Sequence, residues 1–401
     1  MAAKAIPRRR ERAGLAVLSY GFRPFFLGAA LWSALAVIAW LFSFSGSLEI
    51  PTAFDPLRWH IHEMLFGFAA ATVAGFLLTA IPSWTGRLPL QGPPLLGLFA
   101  LWLAGRVAVA GSEVIGGWTA AAIDLAFLAT FLLAVGREIV IGRNWRNLPV
   151  VAALTLLFAA NALFHLQALA VVGTGEAATR LAIAVLVLLI VLVGGRILPS
   201  FTRNWLVKRG VTRLPAGFSG FDRLTLAATV AAAVAWVIAP TGGATALLAA
   251  TAALLNLARL ARWQGGRTLR EPLLWVLHVG YLWIPAGLAL LALAAVLPAV
   301  PASAAVHALT AGAVGTMTLA VMTRATLGHT GRDLHAGPGT TLIYGLVLGA
   351  ALVRVAAAFA VAPGPAAVHA AGWLWAAAFL LFAGLYGPML VAPRRRAGSG
   401  P

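Results

Sequence analysis

The sequence predicts an all-α polytopic integral membrane protein of twelve transmembrane helices, and three observations carry that prediction. Hydrophobic residues make up 61% and charged residues only 10% of the 401 positions, a balance outside the range of ordinary soluble domains. Apolar runs of about 20 residues, the length that crosses a hydrocarbon layer, recur along the whole chain. The basic residues that give a net charge of +18 lie between those runs. That distribution reads as membrane topology and not as a nucleic-acid surface.

Twelve spans are predicted, at 23–45, 60–82, 93–111, 118–141, 149–172, 178–199, 223–240, 243–260, 272–296, 303–324, 340–361 and 366–391. Backbone groups in lipid need internal partners, so each span is a helix. A basic segment over 1–22 precedes them and a basic tail over 392–401 follows. No short apolar region with a cleavage site follows the basic start, so no removable signal peptide is expected. All but four of the 29 Lys and Arg fall in or beside one set of alternating segments; the exceptions are Arg58, Arg106, Arg180 and Arg354. The positive-inside rule then places both termini in the cytoplasm. There is no cysteine, which excludes disulfides, thiolate metal sites and iron–sulfur clusters. A transition metal here must be held by His, Met, carboxylate or backbone groups.

The first span begins GFRPFFLG, read as an interfacial anchor with proline in the first turn. The second opens with the densest cluster of candidate ligands, Trp59–Gly67, WHIHEMLFG. At 3.6 residues per turn His60 and His62 lie roughly 200° apart, so they face different neighbours. His60 shares a face with Glu63 and Met64. Gly67, Ala71 and Gly75 form a small-residue stripe below, suited to a close helix or to a flat cofactor. Arg106 in the third span and Asp124 in the fourth lie at similar depth and are read as a buried ion pair. The fifth span carries Asn161 and His165, the ninth His278 and Tyr281, the tenth His307, and the twelfth opens with His369. His329 and His335 are read as loop residues. Arg354 in the eleventh span has no acidic partner nearby in sequence, and an anion such as a haem propionate would satisfy it.

The ends of spans two, six and ten align as TAIPSWTGR, RILPSFTR and RATLGHTGR, which predicts a pseudo-threefold parallel repeat of four-helix units. In that register His62 stands opposite His307, so these two imidazoles are the first candidates for axial ligands of one haem iron. The competing reading is a pair of histidines hydrogen-bonding between helices. His60, His165 and His278 are candidates for a second metal site. Imidazole donors, with Met64 nearby, suit copper without selecting it.

The stretches FRPFF, WHIHEMLFGF, NALFH, HVGYLWIP and HALTAGAVGTMTLAVMTRATLGHTGR resemble the NnrS family, from about Gly21 to Pro393. The resemblance implies a bacterial inner-membrane protein that contains haem and copper and is linked to nitric oxide metabolism and nitrosative stress. It leaves open the electron donor and whether nitric oxide is substrate, ligand or signal, and so whether the protein is an enzyme. On that footing Arg106 and Arg354 are expected beside haem propionates. A weaker fold-level likeness is to the haem–copper oxidase subunit, but this chain lacks that subunit's adjacent His-His pair and its helix 6 histidine. The alternative class is a secondary transporter that uses intramembrane His and Glu for protons or substrate.

Overall fold

The protein, seen here as a computed structural model, is described over residues 14–173, 175–359 and 364–395. Much of the basic start and of the tail thus lies outside the described residues. Twelve helices among those described are long and apolar enough to cross a bilayer: α1 (Phe22–Phe44), α2 (Pro56–Thr85), α3 (Pro93–Ala110), α4 (Gly117–Ile141), α5 (Trp145–Ala168), α6 (Ala177–Val207), α7 (Gly220–Ile238), α8 (Gly243–Ala261), α9 (Pro272–Ala294), α10 (Ala302–His329), α11 (Pro338–Ala358) and α12 (Gly364–Val391). No strand occurs among the described residues. All twelve predicted spans are found. The main departures in length are α6 and α10, which run several residues beyond the apolar stretch, and α2, which begins earlier.

Local chemistry explains several of the starts. α2, α3, α9 and α11 each have proline in the first turn, where its missing N–H leaves no intrahelical bond unmade. Asp55 caps α2 by accepting the Arg58 N–H at 2.9 Å, and Ser219 with Asp222 forms a capping box at α7. Each satisfies orphan donors of a first turn.

α2, α6 and α10 touch one another at the centre of the bundle, and with α9 they are the most buried of the twelve. Around them α3–α4–α5, α7–α8–α9 and α11–α12–α1 pack as neighbours, with α1 against α12. The Arg-Pro start of α1 is a closure and not an interfacial anchor. Arg23 is buried and donates to the Leu390 and Ala392 carbonyls at 2.8 and 2.7 Å, filling acceptors that the C-terminal turn of α12 leaves free.

Two helices depart from α geometry. α2 is regular to His62 and then widens to i→i+5 bonding over Glu63–Ala69, and α10 does the same over Ala308–Gly315, directly after His307. Such turns shift the phase of the side chains that follow and are frequent at functional sites. The small-residue stripe of α2 is covered by α1: a Cβ on Gly75 would meet the Phe26 ring at 2.7 Å. It is a packing surface and not a cofactor face.

Candidate metal centre

His62 lies at the middle of a fully buried polar cluster. Its Nδ1 stands 3.0 Å from Glu63 Oε1, and its Nε2 stands 3.2 Å from Asp124 Oδ2 and 3.1 Å from Asn161 Oδ1. His165 Nε2 is 2.9 Å from the same Asp124 Oδ2, which also accepts from Asn161 Nδ2 at 2.8 Å. Arg106 donates to Glu63 Oε2 at 2.7 Å and, through its other terminal nitrogen, to Asp124 Oδ1. Trp32 Nε1 donates to Glu63 Oε2 at 2.6 Å. Five helices, α1 to α5, thus supply one network.

The sequence places these groups closely. Gly67 and Gly105 let the backbones come near: a Cβ on Gly67 would lie 2.8 Å from Arg106, Glu63 and Trp32 atoms, and one on Gly105 would lie 2.9 Å from Asp124 Oδ1. The widened turn exposes the Gly67 carbonyl, which accepts from Trp102 Nε1 at 2.9 Å. The Glu63 carboxylate joins His62, Arg106 and Trp32 and not His60, contrary to the simple helical phase.

The electrostatics ask for one more positive charge. Glu63 and Asp124 are two carboxylates against the single guanidinium of Arg106, all with 1% exposure or less. Buried unpaired charge is expensive. In addition, both His62 nitrogens face oxygen acceptors, whereas a neutral imidazole carries one N–H. A metal ion, or one further proton on an imidazole nitrogen or a carboxylate, balances the cluster.

A metal fits there. His62, Asp124 and His165 each offer one ligand atom, and the three atoms lie within 4.8 Å of one another. Glu63 would then hold the Nδ1–H of His62, the carboxylate–histidine–metal arrangement that fixes the tautomer of a ligating imidazole. A small cavity of about 20 Å³ adjoins His165, lined also by Phe54, Ser112, Gly117, Ala120 and Leu169. It has room for about one water-sized molecule.

The NnrS protein family matches residues 16–394 of this sequence. The chain belongs to the NnrS family. No curated protein matches it. In this NnrS protein the other predicted residues fall into separate groups. His60 turns away from His62 and stacks on Trp40, with ring centroids 4.2 Å apart, and it lies within electrostatic reach of His307 and Arg354. His60 Nδ1 is buried with no hydrogen-bond partner among the described residues. His307 Nδ1–H donates to the Ser303 carbonyl at 2.7 Å, which leaves its Nε2 with a free lone pair. The histidine grouped with His307 is therefore His60 and not His62, which corrects the proposed pairing.

Other expectations are also revised. The Arg106–Asp124 pair is found, but both terminal nitrogens of Arg106 are committed to carboxylates, so it is no propionate partner. His278 joins neither group. Its Nε2 bonds Thr202 Oγ1 at 2.9 Å and its ring backs onto Gly265. His335 bonds Glu271 at 3.2 Å, as a loop residue can, whereas His329 is the last residue of α10 and packs on Phe22.

A second buried ion pair went unseen in the sequence. Arg259 Nε donates to Asp222 Oδ1 at 2.8 Å, its Nη1 reaches the Val191 carbonyl at 2.9 Å, and Tyr281 Oη donates to Asn256 Oδ1 at 2.6 Å beside it. Arg259 reads as a loop charge because it lies two residues from the end of α8. Asp222, in the first turn of α7, was the available signal, since the α7–α8 hairpin returns position 259 to its side.

Proposed function

We propose that the protein is a haem- and copper-binding bacterial inner-membrane protein of the nitric oxide response, with both termini cytoplasmic and its metals in the half of the bundle away from the basic loops. The observation that carries this reading is the buried convergence of His62, Asp124 and His165. Two imidazoles and a carboxylate admit zinc, iron(II) and copper(II); copper follows from the family. When bound, it would supply a redox-active or nitric oxide-ligating centre. The chain's own residues would hold it: Asp124 oriented by Arg106 and Asn161, His62 oriented by Glu63. The cavity beside His165 suits a diatomic molecule by size.

Haem is assigned to the second group. His60, with its orphaned Nδ1, and His307, with a free Nε2, offer imidazole ligands from α2 and α10, and Arg354 offers a guanidinium for a propionate. The central placement of α2, α6 and α10 and the matching widened turns support the threefold repeat as a further part of this proposal.

The test is the reduced-minus-oxidised absorption spectrum of the purified protein, with and without nitric oxide. A Soret band that shifts on reduction and is lost in His60→Ala and His307→Ala, but kept in His335→Ala, is expected. A colourless wild-type protein refutes the haem assignment.

A further inference from the structure

At the end of the bundle that carries the basic loops, a cavity of about 540 Å³ opens between the start of α5, the second half of α6, the segment leading into α7 and the first turns of α7. That volume falls within the range of sites that hold small ligands. Three arginines line it, Arg146, Arg196 and Arg203, and among the described residues no acidic side chain does. Arg196 is held in place by donating to Asn147 Oδ1 at 3.0 Å, and Arg146 and Arg203 are exposed. The remaining wall is largely apolar, with Leu192, Phe218 and Leu226 among its residues.

Three guanidiniums converging on one cavity, with no acidic side chain among its described lining, form a site for an anion with several oxygens, such as the phosphate that guanidinium forks bind bidentately. Apolar walls beside the cationic ones suit an amphiphile. We propose that this cavity binds the phosphate group of an anionic phospholipid headgroup, with its glycerol and upper acyl atoms against Leu192, Phe218 and Leu226. Basic pockets between spans on the positive side take such headgroups. The same phosphate chemistry is available from free phosphate in solution, so the test separates the two sources.

The full-length protein in detergent is titrated with phosphatidylglycerol, with phosphatidylcholine and with inorganic phosphate at matched ionic strength, and binding is read from the unfolding midpoint. The variant is Arg146→Gln with Arg203→Gln, both exposed and thus compatible with folding. The control is Lys208→Gln with Arg213→Gln, which removes the same charge from exposed positions outside the cavity. Phosphatidylglycerol is expected to stabilise wild type and control alike, with apparent affinity weakened about tenfold or more in the cavity variant. Stabilisation by phosphatidylglycerol and not by inorganic phosphate identifies the lipid as the source. If inorganic phosphate alone stabilises the protein, and the cavity variant abolishes this, the lipid assignment is overturned. Equal weakening in the two double variants, or no preference of phosphatidylglycerol over phosphatidylcholine, overturns the site itself.

Discussion

Replacing Arg106 with leucine tests the charge count of the central cluster. The guanidinium is wholly buried and, among the described residues, is the only Arg or Lys in salt-bridge contact with Glu63 and Asp124. Removing it leaves the two buried carboxylates one positive charge short, and breaking a buried pair in this way costs about 3–5 kcal/mol. Glu63→Gln is a milder change. It leaves Arg106 and Asp124 as a neutral pair and weakens bonds from Trp32, His62 and Arg106, at about 1–3 kcal/mol. Adding Glu63→Gln and Asp124→Asn to Arg106→Leu removes the uncompensated charge, so the triple variant recovers part of the loss. Unfolding in one detergent, followed by tryptophan fluorescence, gives the order: wild type, Glu63→Gln, triple variant, Arg106→Leu. Trp32 and Trp102 donate into this region and report on it directly. An Arg106→Leu protein as stable as Glu63→Gln, or a triple variant weaker than Arg106→Leu, would show that charge balance does not govern the cluster.

Other outcomes follow from single contacts. Gly67→Ala places a methyl group 2.8 Å from three polar atoms and is expected to destabilise by about 1–3 kcal/mol; Gly97→Ala meets nothing within 4 Å and should be neutral or slightly stabilising, read by the same unfolding assay. Arg259→Leu leaves Asp222 with the Ser219 cap and Arg262 at 3.5 Å and should cost about 1–3 kcal/mol while leaving metal content per folded protein unchanged, which elemental analysis after size exclusion checks. His278→Ala should retain both the Soret band and the copper, since its ring bonds only Thr202; loss of either metal would return His278 to a ligand role.

The spans were legible because hydrocarbon imposes length and apolarity on every crossing segment, and even the short α7 and α8 stand out from the turn between them. The Arg106–Asp124 pair was legible from depth alone, since neither charge is tolerable there by itself. What failed was the angular phase along α2. An ideal 3.6-residue period puts Glu63 with His60, but its carboxylate is drawn to Arg106, Trp32 and the adjacent His62, partners supplied mainly by other helices. The pairing of His62 with His307 failed for a related reason: equal depth on two helices does not fix which way each ring points. Arg259 was missed because a residue near a span end looks solvated until the neighbouring helix is placed, and Trp32 because an indole in an apolar run looks like packing.

The central claim is that His62, Asp124 and His165 hold copper, and the copper-to-protein ratio of purified wild type and His165→Gln tests it most directly. Glutamine at 165 can still donate to Asp124, so the fold is kept and an unchanged Soret band verifies it. Stoichiometric copper in wild type and its loss in His165→Gln is the expected result. Copper-free wild type, or equal copper in both proteins, contradicts the claim.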